Sequence, residues 1–94
     1  MFTMTIANVA AKKVIEDKNS SADGDPIIQW EKNGQPWQKW LLEGTKDDDG
    51  SYFIVNVATK KVIENKNSSA DGDPIIQWEK NGQPWQKWLV VSTP

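Results

Sequence analysis

A near-perfect internal duplication constrains this 94-residue chain more than any other feature. Shifting the sequence by 48 residues aligns residues 12–41 with residues 60–89, and of those 30 positions only Asp17 and Asn65 differ. A repeat of this length is one supersecondary unit that cannot bury its apolar face alone, so we expect the two units to pack together. We place the first repeat at residues 1–46 and the second at residues 47–94.

Each repeat is predicted to contain four short strands. Apolar residues come in short bursts separated by turn residues, and none recurs at helical spacing over more than a turn. In the second repeat the bursts predict strands at 52–57, 61–64, 74–78 and 85–91, with a tight turn at Asn81 and Gly82. A propeller blade also has four strands, so this pattern leaves two architectures open.

The tryptophan spacing separates these architectures. In the first repeat, Trp30 is followed by Asn33-Gly34 and then by a Gln-Lys-Trp string that ends ten residues after Trp30. The second repeat has the same pattern from Trp78 to Trp88. Together with the "YFIVN" opening at residues 52–56, this resembles the ricin B-type lectin family, whose repeats end in Gln-x-Trp. The resemblance implies an all-β chain with the β-trefoil fold, in which three four-stranded repeats surround a pseudo-threefold axis. It also implies non-catalytic binding of galactose-type sugars in one shallow pocket per repeat.

The resemblance also assigns residues to those pockets. The aromatic residue that stacks on sugar corresponds to Trp30 and Trp78, and the pocket glutamine, whose amide should also hold the neighbouring loop, to Gln38 and Gln86. The family's pocket aspartate is replaced here by glutamate, and the asparagine before the signature glutamine by tryptophan, which only donates hydrogen bonds. The candidate carbohydrate-binding residues are Glu16, Trp30, Asn33, Trp37, Gln38, Glu64, Trp78, Asn81, Trp85 and Gln86.

Each tryptophan pair also has a structural interpretation, because aromatic residues in strands more often pack in cores than bind ligands. We assign Trp40 and Trp88 to the core. The pair Trp30 and Trp78 either stacks on sugar or packs under the following Asn-Gly turn. Trp37 and Trp85 form either a second pocket wall or a plug between repeats.

Composition excludes several function classes. The chain has no cysteine and no histidine, which removes thiolate and imidazole metal ligands and the commonest general base. The residues 19–24 imitate the first half of a calcium loop, but Trp30 stands where the bidentate glutamate belongs. We therefore expect no enzyme activity, no metal and no cofactor. A net charge of −2 from interspersed signs disfavours nucleic acid and membrane surfaces as partners.

Two repeats supply eight predicted strands, whereas a closed trefoil needs twelve. An unfilled third position would expose strand edges and apolar core, so we expect a homo-oligomer, with a trimer favoured because three chains carry six repeats. The start of the chain lacks the pattern of a signal peptide, which predicts a cytoplasmic protein, with release from the cell as the alternative. The runner-up function is a sugar-inactive trefoil scaffold, natural or designed, for protein binding or protease inhibition.

Overall fold

Short antiparallel strands build the whole molecule. A computed structural model describes residues 2–92. The strands are β1 (Val14–Glu16), β2 (Ile28–Trp30), β3 (Trp40–Gly44), β4 (Tyr52–Asn56), β5 (Val62–Glu64) and β6 (Ile76–Trp78). In a two-stranded sheet β1 pairs with β2, and a four-stranded sheet has the order β3-β4-β5-β6. Two 3₁₀ helices, Pro36–Gln38 and Pro84–Gln86, follow β2 and β6.

Residues in the left-handed conformation limit the length of β5. Lys60 precedes this strand with φ 64°, and Lys66 and Asn67 follow it with φ 61° and φ 56°. Non-glycine residues adopt such angles only in turns, and asparagine is among those that tolerate them best. The chain therefore reverses on both sides of β5, which carries Glu64 at its end. The first repeat has the same angles around β1.

The core lies between the repeats. Phe53, Val55 and Val62 form a buried apolar cluster, and Leu41 of the first repeat packs against it. Trp40 is fully buried, and its indole Nε1 donates to the Ile15 carbonyl oxygen at 3.1 Å. This confirms the prediction that Trp40 is a core residue. Trp88 makes the same bond to the Ile63 carbonyl oxygen at 2.8 Å but stays partly exposed.

The longest strand pairing joins the two repeats. β3 of the first repeat and β4 of the second pair over five residues, from Trp40 opposite Asn56 to Gly44 opposite Tyr52. The prediction of a strand at 85–91 is wrong. Residues 84–86 form a 3₁₀ helix, and residues 87–92, in the described part of the chain, make only an isolated bridge between Trp88 and Tyr52. The reason is that the equivalent segment, β3, forms its ladder with the repeat that follows it.

One apolar face between the repeats is open. A cleft of ≈ 430 Å³ is lined by three pairs of equivalent isoleucines and one tryptophan: Ile6, Ile54, Ile15, Ile63, Ile27, Ile75 and Trp88. The residues that follow Trp88 in the sequence, Leu89, Val90 and Val91, are exposed at 62%, 57% and 71% of their surface. Between residues 2 and 92, no helix combines the length and apolar character needed to cross a membrane.

A buried carboxylate also connects the repeats. Asp17 is fully buried, and its Oδ2 accepts a hydrogen bond of 2.8 Å from the Thr59 hydroxyl of the second repeat. Burial raises the pKa of Asp17 above its usual 3.8, and the nearby Glu16 raises it further, whereas the hydrogen bonds from Thr59 and the Asn19 amide lower it. The raised pKa means that the ionised form of Asp17 is disfavoured in the folded chain.

Replacing Asp17 by asparagine, the residue at the equivalent position 65, should stabilise the chain at pH 7. A raised pKa contributes stability that is complete below pH 3.8 and is lost as the pH rises through the folded-state pKa. The difference in unfolding free energy between Asp17→Asn and the unsubstituted chain should therefore grow from pH 3 to pH 7. Urea denaturation at both values measures it, with the exposed Asp48→Asn as control. A difference between the two chains that stays constant or shrinks from pH 3 to pH 7 would contradict the assignment.

Candidate functional site

A cleft in the second repeat brings together four of the predicted binding residues. Its volume is ≈ 330 Å³, at the lower end of the range of small-ligand sites. The side chains come from the end of β5, the end of β6 and the turn and 3₁₀ helix that follow. The lining residues are Glu64, Lys66, Asn67, Ile76, Trp78, Asn81 and Trp85.

The fifth predicted residue of this repeat, Gln86, lies beneath the cleft. It is fully buried, and its Nε2 donates to Oε1 of Glu64 and to the Glu79 carbonyl oxygen, each at 2.9 Å. Its Oε1 accepts a 2.9 Å hydrogen bond from the Asn81 amide. Gln86 therefore fixes Glu64 and the turn at Asn81 in place, which confirms the expected hydrogen bonding to the neighbouring loop.

The turn beyond Trp78 is held by its own side chain. Oδ1 of Asn81 accepts a 3.0 Å hydrogen bond from the Gln83 amide, and Gly82 adopts φ 78°. Such a turn is typical of an Asn-Gly pair, because asparagine bonds its own backbone two residues on and glycine tolerates positive φ. Oδ1 of Asn81 is thus used by the hydrogen bond within the turn, and Nδ2 of the same side chain is the group left for a ligand.

The first repeat has the same internal hydrogen bonds. Nε2 of the buried Gln38 donates to Oε1 of Glu16 at 2.8 Å and to the Glu31 carbonyl oxygen at 2.9 Å, and its Oε1 accepts from the Asn33 amide at 2.8 Å. Trp30, however, is 55% exposed, compared with 38% for Trp78. The cleft beside Trp30 has ≈ 280 Å³ and is lined by Lys13, Gln29 and Glu31, not by the other predicted residues of this repeat.

Three residues of the second-repeat cleft were not among the predicted ones. Lys66 and Asn67 belong to the turn after β5, and their positive φ values bring this turn over the cleft. Ile76 lies on β6, two residues before Trp78 and on the same face of the strand. That spacing of two was the available signal for Ile76. Among residues 2–92, no cluster of three potential metal-ligating side chains occurs.

The chain is similar to one protein family and to several solved structures. A family model described as "Ricin-type beta-trefoil lectin domain-like" matches residues 3–78 and, in a second match, residues 36–94. A designed threefold-symmetric protein, ThreeFoil, has a TM-score of 0.88 and 27% identity over 97% of this chain. An exo-β-1,3-galactanase from Clostridium thermocellum has a TM-score of 0.89 and 32% identity over 99% of this chain. This chain spans 65% of the first protein and 20% of the second. No curated protein matches it.

Proposed function

The chain belongs to the ricin-type β-trefoil lectin domain-like family, and from this membership we propose that it is a non-catalytic module that binds carbohydrate through one shallow pocket per repeat. The observation that carries the proposal is the second-repeat cleft, where an exposed tryptophan and a buried glutamate face the same space. An indole face can pack against the apolar C–H surface of a sugar ring, and a fixed carboxylate can accept hydrogen bonds from sugar hydroxyl groups.

Each cleft residue has a proposed role. Trp78 stacks on the apolar face of the sugar ring, since 38% of its surface is accessible. Oε1 of Glu64 is held by Gln86, so Oε2, which accepts no hydrogen bond from the described residues, receives those of the sugar hydroxyls. Asn81 donates from Nδ2, and Trp85 forms the second wall of the cleft. Gln86 acts through Glu64 and Asn81, because it is fully buried.

Galactose-type sugars are the proposed ligands. Family membership supports this class, and one similar solved structure is an exo-β-1,3-galactanase, whose name refers to galactan. The chain corresponds to only 20% of that enzyme, so its catalytic activity is not carried over. The glutamates at positions 16 and 64 extend one methylene farther than the family's usual aspartate. The carboxylate of each pocket therefore bonds to sugar hydroxyl groups at different positions than an aspartate would.

A glycan array with the purified chain tests the proposal. A pocket with one stacking aromatic and two or three hydrogen bonds should bind a free monosaccharide with a Kd of about 1 mM, and several pockets in one assembly should gain about 100-fold on a dense glycan surface. Calorimetry with free galactose measures the first value. An array without signal at any glycan would contradict carbohydrate binding.

The alternative function is a trefoil scaffold without sugar activity, which serves protein binding or protease inhibition. The similarity to a designed threefold-symmetric protein favours this alternative, as does the near identity of the two repeats. The array separates the two functions, because a scaffold should bind no glycan.

We further propose a homotrimer, in which six repeats complete two trefoils. The open cleft of ≈ 430 Å³ and the exposed residues Leu89, Val90 and Val91 support assembly, because apolar faces and free strand edges favour association. Light scattering coupled to size exclusion should give about three times 10.6 kDa. A well-folded monomer at micromolar concentration would contradict this state.

A further inference from the structure

The second-repeat cleft carries its two charges at different depths. Among its lining residues, Lys66 alone is cationic and Glu64 alone is anionic. Glu64 is 4% exposed, and its Oε1 accepts the hydrogen bond from Gln86, whereas Lys66 is exposed. A ligand in the cleft therefore meets a carboxylate at the base and an ammonium group at the edge.

The ammonium group of Lys66 is available to a ligand. Within residues 2–92, the lysines that form ion pairs are Lys61, Lys80 and Lys87, and Lys66 makes neither an ion pair nor a side-chain hydrogen bond. An ammonium group only donates hydrogen bonds. A ligand that binds beside Lys66 is therefore favoured if it brings an acceptor, and most favoured if that acceptor is negatively charged.

The backbone of the turn at Lys66 is fixed, although the side chain is free. Oδ1 of Asn65 accepts a 3.0 Å hydrogen bond from the Asn67 amide, and Nδ2 of Asn65 donates to the Ser68 carbonyl oxygen at 3.1 Å. Asparagine stabilises turns through such bonds to nearby backbone groups. Since the turn already lies beside the cleft, a ligand has to order only the side chain of Lys66, which lowers the entropic cost of binding.

The other polar side chains of the cleft are mainly hydrogen-bond donors. The indole Nε1 atoms of Trp78 and Trp85 donate to no other residue in the part of the chain that the structure describes, unlike that of Trp88, which bonds a backbone carbonyl oxygen. The Nδ2 groups of Asn67 and Asn81 are equally unused within residues 2–92. Side-chain donors thus outnumber acceptors, and a carboxylate or sulfate, which only accepts, matches this surface better than a hydroxyl group does.

The one difference between the aligned repeats changes the charge beside this cleft. Position 17 is aspartate and the equivalent position 65 is asparagine. Both side chains hold the same turn, because Oδ1 of Asp17 accepts from the Asn19 amide at 3.1 Å as Oδ1 of Asn65 does from that of Asn67. The second repeat therefore keeps the turn but has no acidic group next to Lys66. An anionic ligand meets less repulsion there than an aspartate would cause.

The first repeat does not reproduce this arrangement. Lys18, the equivalent of Lys66, has a similar φ of 63°, but it does not line the cleft beside Trp30. That cleft combines Lys13 with the exposed Glu31 instead. Lys18 therefore serves as a matched control for Lys66, with the same local sequence and turn conformation.

We propose that the second-repeat site binds an acidic sugar, a hexose that carries a carboxylate or a sulfate group, and that Lys66 selects it. The sugar ring packs against Trp78, its hydroxyl groups donate to Oε2 of Glu64, and its acidic group accepts from Lys66. This inference rests on the proposed function, because it concerns the ligand of the same site.

The expected preference is moderate, because water competes for an ion pair at an exposed position. The acidic sugar should bind about fivefold more tightly than its neutral counterpart, which corresponds to about 1 kcal/mol. The preference should fall in about 1 M sodium chloride, where the Debye length is about 3 Å. A contact that depends on shape alone would not respond to salt in this way.

Calorimetric titration of the full chain with the substitution Trp30→Ala tests the preference at the second pocket. The ligands are galactose, galacturonic acid, galactose 6-sulfate and the methyl ester of galacturonic acid, which keeps the shape of the acid without its charge. At least one acid should bind about fivefold more tightly than galactose, and the ester should bind like galactose. The two acids distinguish a carboxylate from a sulfate. Equal affinity for the acids and for galactose would overturn the inference.

Substitutions of Lys66 test its role through the ratio of the two affinities, acid to galactose. Lys66→Met should reduce this ratio to about 1, and Lys66→Arg, which keeps the charge, should preserve it. The control Lys18→Met should preserve the ratio as well. An equal ratio in both methionine variants would show that Lys66 does not select the ligand.

The same titrations with the unsubstituted chain separate this inference from the proposed function. Binding of galactose without any preference for the acids would refute the acidic ligand and leave carbohydrate binding intact. Binding of none of the four sugars would refute both proposals.

Discussion

Replacing both Trp30 and Trp78 by alanine should abolish glycan binding and leave the far-UV circular dichroism nearly unchanged. Both indoles are partly exposed, at 55% and 38%, and neither belongs to the buried apolar cluster around Phe53, so the strands should stay paired without them. The same removal takes the only proposed stacking surface out of each pocket. Stacking on an aromatic face carries a large share of the energy in a shallow site, so a Kd of about 1 mM should weaken beyond detection.

The matched control is the double substitution Trp30→Phe and Trp78→Phe. A phenyl ring keeps a flat apolar face, so this variant should keep measurable binding on the glycan array. Loss of the circular dichroism signal in the alanine variant would show that both rings support the fold, and the assignment to sugar stacking would be wrong. Undiminished binding by the alanine variant would equally contradict it.

Replacing Gln86 by leucine should lower both the stability of the chain and the affinity of the second-repeat pocket. Gln86 is fully buried and bonds Glu64, Glu79 and Asn81, as described above. Leucine has a similar volume but leaves these three groups without their partner, and buried groups that lose a hydrogen bond cost about 1–3 kcal/mol each, partly offset by water. We expect the unfolding free energy to fall by about 2–4 kcal/mol.

Urea denaturation measures the stability, and galactose titration in the Trp30→Ala background measures the second pocket alone. Gln83→Leu is the control, because Gln83 is exposed and belongs to the same turn. Its stability should change by less than about 0.5 kcal/mol. Equal stability of both leucine variants would show that the hydrogen bonds of Gln86 contribute little to holding Glu64 and Asn81.

Much of the second repeat could be predicted from its residues. The bursts at 52–57 and 61–64 correspond to β4 (Tyr52–Asn56) and β5 (Val62–Glu64), because β-branched and aromatic residues bounded by turn residues mark strands locally. The hydrogen bonding of Gln86 was likewise expected from the Gln-x-Trp pattern. These features depend on interactions within one repeat, which the sequence of that repeat contains.

The sequence by itself determined that the chain is a duplicated β unit and which side chains each unit carries. Tertiary structure alone decided which of two identical side chains is buried. Asn56 is buried and its Nδ2 donates to the Trp37 carbonyl oxygen at 2.9 Å, whereas the equivalent Asn8 is exposed. β3 forms a ladder and residues 88–92 do not. The physical reason is that each face of a repeat is completed by hydrogen bonds and apolar contacts from its neighbour, and the two repeats have their neighbours on opposite sides.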